Sequence, residues 1–114
     1  LILLSAFSNV IIDYNKEKSM ITDNTGERTV TINTFIYRLG RDSYFKLGFE
    51  DCFKDKPYNY DISDKRNAIY YARGRSFAIY TKTTKQPRAV WRKGILAKTA
   101  QERLARAAYY GWVL

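Results

Sequence analysis

The spacing of apolar residues divides the chain into an extended first part and a helical remainder. Residues 10–14 and 28–32 are rich in β-branched and aliphatic side chains, and the second run alternates with polar residues as a half-buried strand does. Between them, residues 23–26 (Asp-Asn-Thr-Gly) are typical of a turn. The pattern predicts a small antiparallel hairpin or meander over residues 1–32.

After residue 32 the apolar positions recur at helical spacing. Residues 34–54 fit either one kinked helix or two short ones, because two glycines interrupt the apolar row and the pair Asp42-Ser43 could cap a fresh start. The glycines are Gly40 and Gly48. Pro57 then predicts a connector, since the residue before a proline is disfavoured in a helix.

The clearest helix signature covers residues 61–82. Three residues, Asp61, Ser63 and Asp64, can cap its first turn. The apolar residues fall on one side at a period of roughly 3.6 residues and leave the arginines largely on other sides; they are Ile62, Ile69, Ala72, Phe77 and Tyr80. Gly74 lies in the middle, where glycine costs about 1 kcal/mol relative to alanine. A glycine at that position indicates that another backbone comes close.

The last part of the chain predicts an extended segment and a last helix. Residues 88–96 could form a strand or an irregular basic loop, and we favour a short extended segment. Thr99 and Glu102 have the spacing of a capping box, so a helix should begin there, and Gly111 can end it. The prediction is a single α+β domain, residues 1–114, with the N-terminal antiparallel β-hairpin or meander packed against about three helices.

Charge separates the two halves of the chain. The formal net charge is +9. Residues 1–60 hold eight Lys/Arg and eight Asp/Glu, whereas residues 61–114 hold twelve and three. A basic excess confined to one half attracts polyanions, so the expected partner is nucleic acid, with RNA favoured, or an acidic host protein. The sequence alone sets no oligomeric state.

The sequence lacks the residue patterns of several kinds of catalytic, metal and phosphate-binding site. There is no histidine, no Cys/His metal spacing, no phosphate-binding glycine loop and no serine nucleophile motif, so we expect no enzyme activity, no metal and no cofactor. Cys52, the only cysteine, is expected to act as a small packing residue in a reducing compartment. That compartment favours a cytoplasmic protein, and we expect no membrane partner. The apolar residues 1–7 are too short to cross a bilayer and carry no basic leader, so they predict neither a transmembrane helix nor a signal peptide.

Cations and aromatic residues interleave in the basic half. Cations can contact phosphates, and aromatic faces can stack on unpaired bases. Tyr71 and Trp91 are expected to be exposed, and Tyr70 and Tyr80 to be core residues. The candidate nucleic-acid-binding residues are Tyr71, Arg73, Arg75, Lys82, Lys85, Arg88, Trp91, Arg92, Lys93 and Lys98. Arg73 and Arg75 lie roughly 200° apart on a helix, so they cannot both face one row of phosphates.

Two stretches place an aromatic residue four positions before a mid-helix glycine: residues 44–51, with Gly48, and residues 70–77, with Gly74. Two such helices could cross closely at the glycines. With the connector Lys56-Pro57-Tyr58, this layout resembles the ribosome modulation factor and related small phage or bacterial proteins over residues 44–80. The resemblance implies a basic surface that contacts ribosomal RNA. The alternative is that both glycines only allow the helices to pack.

The sequence therefore predicts a non-enzymatic basic protein that binds nucleic acid, directed at RNA or the ribosome. Phosphate neutralisation and aromatic contacts would supply the binding. One alternative is a phage-type inhibitor that docks on a host nucleic-acid-processing protein. Another is a structural subunit of a larger assembly, whose exposed apolar N-terminus needs a partner.

Overall fold

The computed structural model describes residues 31–113 in full and, before them, only the backbone of short strands. The strands are Ile2–Leu4 (β1), Ile11–Asp13 (β2), Met20–Ile21 (β3) and Val30–Thr31 (β4). β1 pairs antiparallel with β2, and β3 pairs antiparallel with β4. The elements that follow are Ile32–Arg41 (α1), Ser43–Phe53 (α2), Lys65–Thr83 (α3), Trp91–Arg92 (β5), Ile95–Leu96 (β6) and Lys98–Tyr109 (α4).

The predicted α+β class is wrong, because the described body of the chain is mostly helical. The hairpin that joins its core is β5–β6, which follows three helices instead of preceding them. The alternating residues 28–32 favoured a strand through Ile32. Instead, the Thr31 side chain accepts a hydrogen bond from the Thr34 amide (3.2 Å) and caps α1, so the helix begins at Ile32. Side chains before Thr31 lie outside the described residues.

Residues 34–54 form two helices, one of the two predicted arrangements. Asp42 ends α1 and caps α2, because its Oδ1 accepts hydrogen bonds from the amides of Tyr44 (2.9 Å) and Phe45 (3.0 Å). The two helices turn aromatic and aliphatic residues onto a shared core. The largest fully buried side chains are Phe35, Leu39, Phe45, Phe49, Tyr70, Tyr71, Phe77, Leu96 and Leu104.

Helices α2 and α3 cross in contact at the two predicted glycines. A Cβ built on Gly48 would lie 2.9 Å from the carbonyl carbon of Tyr71 and closer still to its oxygen. A Cβ on Gly74 would lie 2.8 Å from the carbonyl carbon of Phe45, again closer to the oxygen. Each glycine therefore receives the carbonyl of a residue three positions before the other glycine, which leaves no room for a side chain at either site.

The β5–β6 hairpin joins the core through Trp91 and Leu96. Its two-residue turn has positive φ at both positions, 52° at Lys93 and 76° at Gly94, as a type I′ turn requires. Trp91 Nε1 donates a hydrogen bond to the Gly40 carbonyl (3.1 Å), and Leu96 is buried beside Gly40. The segment predicted as extended is thus a hairpin that packs on α1.

Helix α4 begins earlier than the sequence predicted. The Ala97 amide donates to the Val90 carbonyl (2.8 Å), which extends the hairpin ladder, so Ala97 caps the helix and the proposed capping box at Thr99 and Glu102 is wrong. The predicted end is confirmed. Gly111 has φ 83°, and the amides of Gly111 and Trp112 bond back to the last turn, as in a Schellman motif.

Candidate nucleic-acid interface

A groove of about 450 Å³ lies between the end of α2, the connector and α3. Arg75, Ile79 and Lys82 reach it from α3, because positions i, i+4 and i+7 share one face of a helix. Lys82 Nζ donates to the Cys52 carbonyl (2.9 Å) and to Asp55 Oδ1 (2.8 Å). The other lining residues are Lys56 and Thr83. We call this cleft the connector groove.

Arg75 holds the connector at the edge of this groove. Its Nη2 donates to the Lys56 carbonyl (3.1 Å), and its guanidinium carbon lies 5.2 Å from the ring centroid of Tyr58. Burial raises the pKa of the Tyr58 hydroxyl above its ordinary 10.0, and the neighbouring Tyr71 acts in the same direction while Arg75 opposes it. Arg75 is thus both a cation of the groove and a support for an aromatic ring.

Tyr71 is buried, so the expectation that it is exposed is wrong. It lies on the side of α3 that meets α2, three residues before the crossing glycine. Its hydroxyl donates to Asp51 Oδ2 (2.9 Å) and accepts from the Asn59 amide (3.3 Å). Tyr71 therefore positions the connector from inside and does not offer a face for stacking.

A second groove, of about 310 Å³, lies on the other side of α2. Its lining residues are Lys46, Glu50, Arg88, Ala89, Val90 and Trp91. Arg88 Nη2 forms an ion pair with Glu50 Oε2. Trp91 is half-buried, with its ring centroid 5.2 Å from that of Phe49, so it is less exposed than expected. We call this cleft the Trp91 groove.

Phe53, at the end of α2, is approached by one cation from each groove. Lys82 Nζ lies 5.4 Å from its ring centroid, and Arg88 Cζ lies 5.5 Å from it. Taken together, the residues that line the two clefts include five cations and two carboxylates. The cations are Lys46, Lys56, Arg75, Lys82 and Arg88, and the carboxylates are Glu50 and Asp55. We call this the α2–α3 basic surface.

Arg73 does not belong to this surface. Its side chain is buried, with the guanidinium carbon 5.1 Å from the ring centroid of Phe35 and 5.5 Å from that of Tyr70. The prediction that Arg73 and Arg75 cannot serve one phosphate row is confirmed, because one packs inside and the other lines the connector groove. Tyr70 and Tyr80 are buried, as predicted.

The remaining candidate cations are exposed, and they lie outside the two grooves. Lys85 follows α3 with φ 55°, and Arg92 and Lys93 stand at the hairpin turn. Lys98 lines a different cleft, between α1 and α4, together with Glu102. The structure thus brings together Arg75, Lys82, Arg88 and Trp91 and leaves the other candidates dispersed.

The sequence prediction missed the lysines on the rim and two tyrosines of the connector. Lys46 and Lys56 lie in the near-neutral half of the chain, where equal numbers of basic and acidic residues did not indicate a binding surface. Tyr58 and Tyr60 belong to the Pro-Tyr connector, and their spacing was the available signal, because residues two apart in an extended segment share a face.

No family model, curated protein or solved structure matches this chain. The resemblance to the ribosome modulation factor therefore stays a prediction. None of the described helices combines the length and the apolar composition needed to cross a membrane. Within the described residues, no three His, Cys, Asp or Glu side chains are grouped so that they could hold a metal ion.

Proposed function

We propose that this protein is a non-enzymatic, cytoplasmic nucleic-acid-binding protein, directed at RNA or the ribosome. The observation that carries the proposal is the α2–α3 basic surface, where five cations and two carboxylates line two grooves beside α2. Cations arranged along a groove neutralise successive phosphates and release the counterions around them. The cytoplasmic placement is supported by a single cysteine in the whole sequence.

The Lys82–Asp55 ion pair on this surface leaves Lys82 available to phosphate. Asp55, which accepts from Lys82, has a side chain that is 88% exposed. Exposed ion pairs contribute only about 0–1 kcal/mol, because water screens them. A phosphate that offers a full charge and several acceptor oxygens can therefore replace such a carboxylate without disturbing the fold.

The test is a fluorescence-anisotropy titration of labelled single-stranded RNA, duplex RNA and duplex DNA across a salt series. The groove variant is Lys46→Gln with Lys56→Gln, because each residue lines one of the two grooves and is exposed. The matched control is Lys98→Gln with Arg106→Gln, two exposed cations of α4 that lie outside both grooves. Both double variants lower the net charge by the same amount.

We expect affinity to fall steeply with salt, and the groove variant to reduce that slope by about 0.7 for each single-strand phosphate that it no longer neutralises. The control variant should keep most of the slope. Equal effects of the two variants would mean that only net charge matters and would reject the basic surface as the site. Absence of binding to all three probes would reject the proposed function, and a host protein partner would then be sought.

A further inference from the structure

The connector between α2 and α3 holds two tyrosine rings against each other at an angle, and we call them the Tyr58–Tyr60 pair. The ring centroids of Tyr58 and Tyr60 lie 4.7 Å apart with an angle of 37° between the planes. Tyr60 is 85% exposed, whereas Tyr58 is 36% exposed. Because Tyr58 covers only one side of Tyr60, the other face of the Tyr60 ring is open to solvent.

Contacts on the inner side fix Tyr58 in place. The Tyr71 ring meets Tyr58 edge-on, with centroids 5.3 Å apart and planes at 83°, and the Arg75 guanidinium lies over the same ring. The backbone is bonded on both sides of Tyr58, at the Lys56 carbonyl by Arg75 and at the Asn59 amide by Tyr71. A ligand that stacks on Tyr60 therefore meets a ring whose inner support, Tyr58, is already ordered, which lowers the entropic cost of binding.

The Tyr58–Tyr60 pair adjoins the phosphate-binding cations. Arg75 both supports Tyr58 and lines the connector groove, and Lys56 lies in the groove two residues before Tyr58. An aromatic face beside a cationic groove suits a ligand that alternates flat rings with negative charges. A nucleic-acid strand has this chemistry, and its bases offer a free face only when they are unpaired.

We propose that the exposed Tyr60 ring of the Tyr58–Tyr60 pair receives an unpaired nucleobase, so that the α2–α3 basic surface selects single-stranded over duplex nucleic acid. The inference rests on the proposed function and names the class of ligand for the same surface. Both RNA and DNA strands carry unpaired bases, and probes of the same sequence in each distinguish the two sources.

The test compares Tyr60→Ala with two matched variants. Tyr60→Phe keeps the ring and removes only the hydroxyl. Tyr110→Ala removes another exposed tyrosine, whose ring meets that of Tyr109 edge-on and which lies outside both grooves. We expect Tyr60→Ala to weaken binding to single strands about tenfold and to change duplex binding by less than about twofold. Tyr60→Phe and Tyr110→Ala should stay within about twofold of the wild type on every probe, and the salt slope should not change because no charge is removed.

An abasic single strand of the same length separates stacking from phosphate binding. It keeps the phosphates and lacks the bases, so the wild type and Tyr60→Ala should bind it equally. A Tyr60→Ala variant that binds the single-stranded probes as the wild type does, or that loses the same affinity for duplex and abasic probes, overturns the inference and leaves the phosphate-binding function standing. A wild type that binds no probe rejects both. Thermal unfolding of each variant, followed by circular dichroism, checks that the fold is retained.

Discussion

The close crossing of α2 and α3 makes Gly74→Ala a strong test of the fold. The new Cβ would lie 2.8 Å from the carbonyl carbon of Phe45 and 2.9 Å from the amide nitrogen of Phe49. Favourable contacts between carbons begin near about 3.5 Å, so the carbonyl carbon alone requires the helices to separate by roughly 0.7 Å, and the carbonyl oxygen, which would lie closer still, requires more. Overpacking of this kind costs about 1–3 kcal/mol, and the upper end applies here because both obstructing groups are backbone.

Helix propensity acts in the opposite direction. Alanine in a helix interior is favoured over glycine by about 1 kcal/mol. The net expectation for Gly74→Ala is therefore a loss of about 2 kcal/mol in the free energy of unfolding, equivalent to a fall in Tm of about 8–16 °C for a small domain. Urea and thermal unfolding followed by circular dichroism at the helix band measure both quantities.

Two controls on helices separate overpacking from propensity. Ser76→Ala lies two residues away in α3 at a half-buried position, and we expect a change within about 0.5 kcal/mol. Gly40→Ala in α1 would place its Cβ 3.0 Å from the Leu96 Cβ, an overlap that a shift of about a few tenths of an ångström in the hairpin relieves, so its cost should be smaller than that of Gly74→Ala. A Gly74→Ala protein that unfolds at a higher urea concentration than the wild type would refute the close crossing.

Two further predictions concern a helix end and a titrating tyrosine. Lys85→Gly should stabilise the protein by about 0.5–1 kcal/mol in urea unfolding, because Lys85 follows α3 with φ 55°, a conformation that favours glycine. Lys85→Ala keeps the backbone strain and should give no such gain. Equal free energies of unfolding for the two variants would contradict the argument. Burial raises the pKa of Tyr58, so between the unfolded and the folded pKa the folded state keeps the phenol proton that the unfolded state has lost. The stability that this difference contributes is complete below about pH 10 and is lost as pH rises through the folded pKa. The urea midpoint should therefore fall more between about pH 8 and about pH 11 in the wild type than in Tyr58→Phe, and identical falls would contradict the assignment.

Local signals predicted the helices better than they predicted the strands. Asp64 caps α3 by accepting from an amide three residues later, and Asp42 caps α2 by accepting from an amide two residues later. The residues that start each helix therefore lie beside it in the sequence. The alternating run before Ile32 is compatible with a strand or with a helix that begins late, and the Thr31 cap decides between them. The start of α4 could not be read from Thr99, because the hairpin ladder that ends at Ala97 is set by pairing with Val90.

The placement of side chains around α3 depends on which of its faces meets another helix. The helix is covered on several sides, since Tyr71 packs towards α2 while Tyr80 packs against Trp112, with ring centroids 5.6 Å apart. A single apolar stripe therefore could not identify the exposed side. Gly74 carried the missing signal, because residues three before and three after a buried crossing glycine flank the crossing, and these are Tyr71 and Phe77, both buried.

The distribution of cations shows why a count of basic residues is a poor guide to a binding surface. Arg73 packs on aromatic rings in the interior, whereas Lys46 and Lys56, from the near-neutral half, stand at the rims of the grooves. The grooves draw residues from both halves because α2 and α3 cross at their glycines, which sets Phe53 between Lys82 and Arg88. The same crossing places Tyr71 under the connector, which contains the Tyr58–Tyr60 pair. A change that separates the helices should therefore weaken single-strand binding even though it touches no residue of the basic surface.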